Sequence, residues 1–303
     1  MRLLSIAFSH YNEKARWALD RYGLEYRDDR YLPLFHMLPV LWAVRGRVGQ
    51  ADRASSPLST PLVVTDEGQR LRSSGEIARW ASDRYADEET TLYPTAHLDA
   101  ILEAERRLHD EVGPHTRRVA YGLLLSDPVL LRKLVARNVG WLQRTAFGAT
   151  SWMAVALLRK ALQVRPDRVA DSTDRTLAAV THWSEALGDG RRYLIGDRFT
   201  AADLSLACMF APAVIPTMDE GYSAWFPPQA ELSAEAAELS GRVRDTAVGR
   251  HVLRMFAEER AVVEEQAVEP GPTVVIPTEQ VEPAAPLPEI TTATTLDPLA
   301  DEP

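Results

Sequence analysis

The chain opens on a short apolar run, "RLLSIAF" (2–8), rich enough in branched residues to predict a buried strand. Behind it Ala15, Ala18, Leu19 and Tyr22 recur at helical spacing, and Gly23 supplies a natural stop. "LEYRD" (24–28) predicts a second strand, which completes a βαβ unit. After a long irregular stretch, "PLVVT" and "RLR" flank an Asp-Glu-Gly turn within residues 60–74, a hairpin signal. "GEIARWASDRY" (75–85) then returns to helical period through Ile77, Trp80, Ala81 and Tyr85.

From residue 97 onward the pattern is helical throughout. "HLDAILEAERRLHDEVGPHTRRVAYGLLL" (97–125) predicts one long helix with a bend at Gly113-Pro114. Further helices are expected over 128–147, 150–164, 172–188 and 200–211, and a last one near 232–262. "FTAADLSLA" (199–207) carries a sharp start signal: Thr200 as N-cap, Asp203 three residues on, and Phe199 with Leu204 as staple. The fold class is therefore α/β plus all-α, with a first domain over 1–86 and an all-helical domain over 96–262.

Composition changes the picture at the end of the chain. The net charge of the 303 residues is −9. Nine of the acids follow Arg260 and no Lys or Arg does, so residues 1–260 hold 34 acids against 34 bases. Residues 263–303 add eight prolines and no aromatic side chain, and such a segment is expected to be a disordered acidic tail. The neutral remainder shows no basic face for nucleic acid.

The longest apolar stretch, "YLPLFHMLPVLWAV" (31–44), is broken by Pro33 and Pro39, so no membrane insertion is expected. "LLSIAF" is too short for the core of a signal peptide. The single cysteine, Cys208, cannot form an internal disulfide or a cysteine-based zinc site. Together these predict a cytoplasmic protein without a bound metal. Phosphate-loop, dinucleotide, zinc-protease and nucleophile-elbow motifs are absent from the sequence.

Four segments, in order, resemble the glutathione transferase superfamily, in its serine-type, bacterial-like form. "SHYNEKARWALDRYGLEY" (9–26) is similar to the first turn, helix and second strand of such proteins. "STPLVV" (59–64) resembles the segment with the cis-proline, here Pro61, and "LRSSGEIARWASDRY" (71–85) resembles the part that holds the γ-glutamyl end of glutathione. "LIGDRFTAADLSLA" (194–207) resembles the capping segment of the helical domain. The resemblance implies a thioredoxin-like N-terminal domain followed by a helical-bundle C-terminal domain, and a homodimer. It departs from the family at His10, where Pro is frequent, at Ser73, where a carboxylate is usual, and at Ser59, where a basic residue is common.

Within this resemblance Ser9 is the catalytic candidate. The nucleophile of such an enzyme is the glutathione thiolate, and a free thiol titrates near ~8.5. One hydrogen bond to the anion supplies about 1.5–3 kcal/mol, and a helix N-terminus adds about 0.3–1 kcal/mol. A serine at the start of a helix can offer both without a base or metal. Ser9 is equally an N-cap by residue type, with Asn12 as a rival cap.

Thr60 and Pro61 would bind the cysteinyl part of glutathione, the co-substrate, and Ser73 and Ser74 its carboxylate. His10, Tyr11, His115 and Arg118 are the candidates for the pocket of a small apolar electrophile. Two alternatives stand beside this one: a catalytically inactive transferase-fold binding or scaffold protein, and an enzyme that uses a different low-molecular-weight thiol.

Overall fold

A mixed four-stranded sheet carries the first part of the chain. In the computed structural model, which describes residues 1–44 and 58–260, β1 (Arg2–Ile6) pairs parallel with β2 (Arg27–Tyr31) and antiparallel with β3 (Leu62–Val64). β4 (Arg70–Leu71) closes the order β2-β1-β3-β4. β1 is apolar without alternation because both its faces are covered. Leu3 packs with Ala15 and Leu19 of helix α1 (His10–Arg21) and with Ile77 and Ala81 of α3 (Ser74–Tyr85). Leu4 packs on the other side, with Val40 of the short helix α2 (Met37–Ala43).

The helical part comprises α4 (Leu98–Arg107), α5 (Gly113–Ser126), α6 (Pro128–Asn138), α7 (Trp141–Ala161) and α8 (Pro166–Ala186). α9 (Ala201–Val214), α10 (Ala234–Arg244) and α11 (Ala247–Glu258) follow. A thioredoxin-like domain thus precedes an all-helical one, and both lie within one compact unit, Met1–Val263. The tail from 263 onward lies outside the described residues.

α1 ends where its sequence says it should. Gly23 adopts φ 60°, its N–H donates to Asp20 O at 2.9 Å, and Leu24 N–H reaches back to Leu19 O at 3.2 Å. The second strand, however, runs over Arg27–Tyr31 rather than 24–28, since its pairing is set by register against β1 and not by local apolarity. The expected long helix over 97–125 is interrupted by a π-helical turn, Leu108–Val112. Gly140 separates α6 from α7, and the last predicted helix divides at Asp245–Thr246 into α10 and α11.

α9 is the axis of the helical part and is buried on every side, which is why its sequence shows no polar face. Its start carries the predicted capping box between Thr200 and Asp203. Asp203 does more than cap. Its Oδ1 accepts from Leu194 N–H at 2.7 Å and lies 3.1 Å from His251 Nε2, while Oδ2 accepts from Thr200 N–H at 3.2 Å. Cys208 is buried in the same helix, and burial pushes its thiol well up.

Removing the Asp203 carboxylate leaves these buried donors unpaired. The Asp203→Ala variant is therefore expected to lose about 3–5 kcal/mol, against about 1 kcal/mol for loss of a cap alone. The shift of the urea unfolding midpoint at constant slope measures the difference.

Candidate functional site

The site is built on the first turn of α1. Its polar residues cannot face water, because Asn12, Glu13, Lys14 and Arg16 are all buried. Each charge meets a partner on another element. Arg16 donates to Asp28 Oδ2 of β2 at 2.7 Å and to Ser5 Oγ of β1 at 2.7 Å. Lys14 Nζ sits 2.5 Å from Glu105 Oε1 of α4. Glu13 forms an ion pair with Arg260, Oε1 to Nε at 3.1 Å, and accepts from the Ser223 hydroxyl. Burial alone would raise the Asp28 carboxyl, but Arg16 and Arg30 bring it below its ordinary value.

Ser9 is the N-cap residue of α1, with φ −81° and ψ 127°, yet its side chain makes no capping hydrogen bond. Its backbone joins the helix by accepting from Glu13 N–H at 2.8 Å. The hydroxyl is thus uncommitted to the helix, and Ser9 lines a cavity of about 350 Å³. On the facing wall the Thr60-Pro61 peptide is cis, and Asn12 Nδ2 donates to Thr60 Oγ1 at 3.3 Å. Ser9, His10, Tyr11 and Thr60 all line this cavity.

His36 and Ser59 line it too, and most of the remaining wall is apolar, with Phe8, Leu34, Leu124, Leu158 and Phe226 among its residues. Among the described residues, Arg117 of α5 is the only Lys, Arg, Asp or Glu that lines it. The Arg117 guanidinium lies 5.8 Å from the centre of the Tyr11 ring. Burial raises the Tyr11 phenol to about 12, with Arg117 opposing, and its hydroxyl donates to His109 O at 3.3 Å. His10 is buried and stacks on Tyr11 at 4.2 Å. Burial, then Arg117 and His109, hold its imidazole well below the ordinary range, and its Nε2 has no partner.

The remaining candidates are placed elsewhere. Pro61, Ser73 and Ser74 are not among the residues that line the cavity. Ser73 Oγ accepts from Glu76 N–H at 3.1 Å as the N-cap of α3, so that hydroxyl is engaged. Ser74 Oγ is buried without a partner.

His115 and Arg118 do not line the cavity, a correction to the expected pocket. Both turn to α8, where His115 Nδ1 lies 3.1 Å from Ser172 Oγ and Arg118 donates to the same oxygen at 2.8 Å. Arg117, Ala120, Tyr121 and Leu124 line the cavity instead. Within α5, His115 and Arg118 lie on the side that packs against α8, whereas Arg117, Tyr121 and Leu124, spaced by four and three residues, share the side that lines the cavity.

Residues 166–227 match the family model described as glutathione S-transferase, C-terminal domain. A glutathione S-transferase from Xanthobacter autotrophicus Py2 shares 18% identity, with 86% of this chain and 94% of that one covered, at a TM-score of 0.52. Glutathione transferase GSTFuA3 from Phanerochaete chrysosporium shares 18%, covering 84% and 95%, at 0.53. No curated protein sequence matches the chain. These likenesses show the fold.

Two outcomes follow from the site's packing. A Cβ on Gly113 would overlap the Tyr11 hydroxyl and crowd Met209 Sδ. Gly113→Ala is therefore expected to cost about 1–3 kcal/mol, and less when combined with Tyr11→Phe. A double-mutant cycle by urea unfolding measures the coupling.

The neutral, buried His10 also makes stability pH-dependent. The folded state resists a proton that the unfolded chain accepts near ~6.5, so stability present above that pH is lost as pH falls below it. His10→Gln is expected to lose less stability than wild type between about pH 7 and pH 5, by up to ~1.4 kcal/mol per unit. Unfolding midpoints at the two pH values check this.

Proposed function

With the glutathione transferase fold as premise, we propose that the protein is a glutathione transferase that joins the glutathione thiolate to a small apolar electrophile. The observation that carries this reading is an N-cap serine that makes no side-chain cap bond and lines a largely apolar cavity. In the proposed complex, Ser9 donates its hydroxyl hydrogen to the thiolate sulfur. The N-terminus of α1 adds a second favourable field for the same charge. The backbone of Thr60, beside the cis peptide, pairs with the cysteinyl part of glutathione.

Pro61, Ser73 and Ser74 belong to the glutathione half of the proposed site. Ser73 anchors the start of α3, and the unpartnered Ser74 hydroxyl is available to a carboxylate if α3 shifts slightly on binding. The electrophile occupies the apolar walls, near His10 and Tyr11, with Arg117 as the charge that can steady an acidic substituent or the developing anion. A homodimer and a cytoplasmic location complete the proposal.

A second reading is a transferase-fold binding protein without activity. One observation favours it: Ser73 stands where a carboxylate would meet the ligand ammonium, and its hydroxyl is spent on capping Glu76. An enzyme using another thiol without that ammonium fits the same observation.

Titration calorimetry with glutathione and a conjugation assay with a chlorinated aromatic electrophile separate these. Glutathione is expected to bind, and Ser9→Ala to lower kcat/KM by about 10–100-fold, the worth of one charge-assisted hydrogen bond. The thiolate absorbance of bound glutathione should shift to higher pH in the variant. No binding at millimolar glutathione would sink the proposal, and full activity in Ser9→Ala would remove Ser9 from it.

A further inference from the structure

α7 is docked by one face only. Phe147, Ala154 and Leu158 pack with Leu32, Leu125 and Val135. The Gln143 side chain pins the helix to the chain after β2, accepting from Leu32 N–H at 2.9 Å and donating to Arg30 O at 2.8 Å. The opposite face is bare. Trp141 is 69% exposed and Trp152 76%, and Leu142, Met153 and Leu157 are also exposed. At 100° per residue Trp141, Thr145, Ala149, Trp152 and Ala156 share one side of the helix. That side carries no charge between Thr145 and Leu157.

The charges on α7 itself have one sign, while Lys133 of α6 is paired with Glu231. From Pro128 to Pro166 the chain has seven Lys or Arg and no Asp or Glu. Arg159 and Lys160 are exposed on the last turn of α7, with one guanidinium nitrogen of Arg159 donating to Leu125 O at 2.9 Å. Arg144 is exposed near its start, with one guanidinium nitrogen donating to Ala136 O at 3.3 Å. A second copy stacked on this face would bring basic residues together with no carboxylate on α7 to meet them. Water leaves two indoles bare. An anionic bilayer satisfies both features, since indole rings settle at headgroup level and basic side chains meet lipid phosphates.

We propose that the outward face of α7 is a peripheral docking surface for an anionic lipid bilayer. The helix lies in the plane of the interface, with Trp141 and Trp152 as anchors and Arg144, Arg159 and Lys160 on phosphate. Among the described residues no helix is long and apolar enough to cross a membrane, so attachment is to the surface. The same helix walls the cavity through Leu158, Ala161 and Leu162. Docking therefore brings that wall within one helix diameter, about 10–12 Å, of the lipid. The proposal stands on α7 alone and does not depend on the glutathione reading.

Co-sedimentation of the full chain with vesicles tests it, using phosphatidylcholine alone and phosphatidylcholine mixed with phosphatidylglycerol. The protein is expected to sediment with the anionic vesicles, less so at high salt, and to stay in solution with the neutral ones. The pair Trp141→Gln, Trp152→Gln and, separately, the pair Arg159→Gln, Lys160→Gln are each expected to weaken the partition about tenfold or more, with unchanged melting temperature. The proposal is overturned if the protein ignores anionic vesicles, or if the arginine–lysine pair binds them as wild type does. It is equally overturned if wild type is a dimer that the tryptophan pair converts to monomer, which would make this face an interface between copies.

Discussion

Everything in the site depends on how α1 buries its charges. A helix with Glu13, Lys14 and Arg16 removed from water is tolerated only if each charge finds a partner, and the partners come from both parts of the fold. Asp28 and Ser5 belong to the sheet, Glu105 to α4, and Ser223 and Arg260 to the segments around α10 and α11. Trp17 adds an apolar pin on the same helix, packed between Phe199 and Phe256. Each of these contacts limits how α1 can slide or turn. The end of the helix, and with it Ser9, is therefore held by the whole ordered body and not by local capping.

That division of labour explains why Ser9 can be spared. In α3 and α9 the cap side chains are engaged, Ser73 by Glu76 N–H and Thr200 by Ala202 N–H. α1 has tertiary contacts enough to do without its cap bond. The serine can then sit in an N-cap conformation at the edge of the cavity without a cap bond from its side chain. An anion placed there would meet both the hydroxyl and the positive end of the helix.

The far wall follows the same logic with a different device. A π-turn at Leu108–Val112 joins α4 to α5, and both helices pack against α9. Gly113 admits the Tyr11 ring at the junction, since any side chain there would occupy the place of its hydroxyl. Arg117 lines the largely apolar cavity, while its neighbour Arg118 is drawn to Ser172. One residue of helical phase decides which of two adjacent arginines can serve a ligand.

What the amino-acid sequence determined by itself was local. The passage from a strand–helix–strand start to an all-helical remainder, the stop at Gly23, the capping box at Thr200 and Asp203, and the apolar character of β1 and α9 were legible, because each depends on residues within a few positions of one another, whereas α2 falls in a stretch that local pattern predicts as irregular. So was the crowding of Ser9, His10, Tyr11 and Thr60 as site candidates, which the fold brings to one cavity. Tertiary structure alone decided the register of β2, which side of α5 meets the cavity, where Arg117, His115 and Arg118 are placed, and whether the Ser9 hydroxyl would be used as a cap. Strand register and helix phase depend on partners far away in the chain, and the ion pairs that hold α1 join residues up to Arg260. Local periodicity carries no information about such partners, which is why the site's residue types were visible in the sequence and their geometry was not.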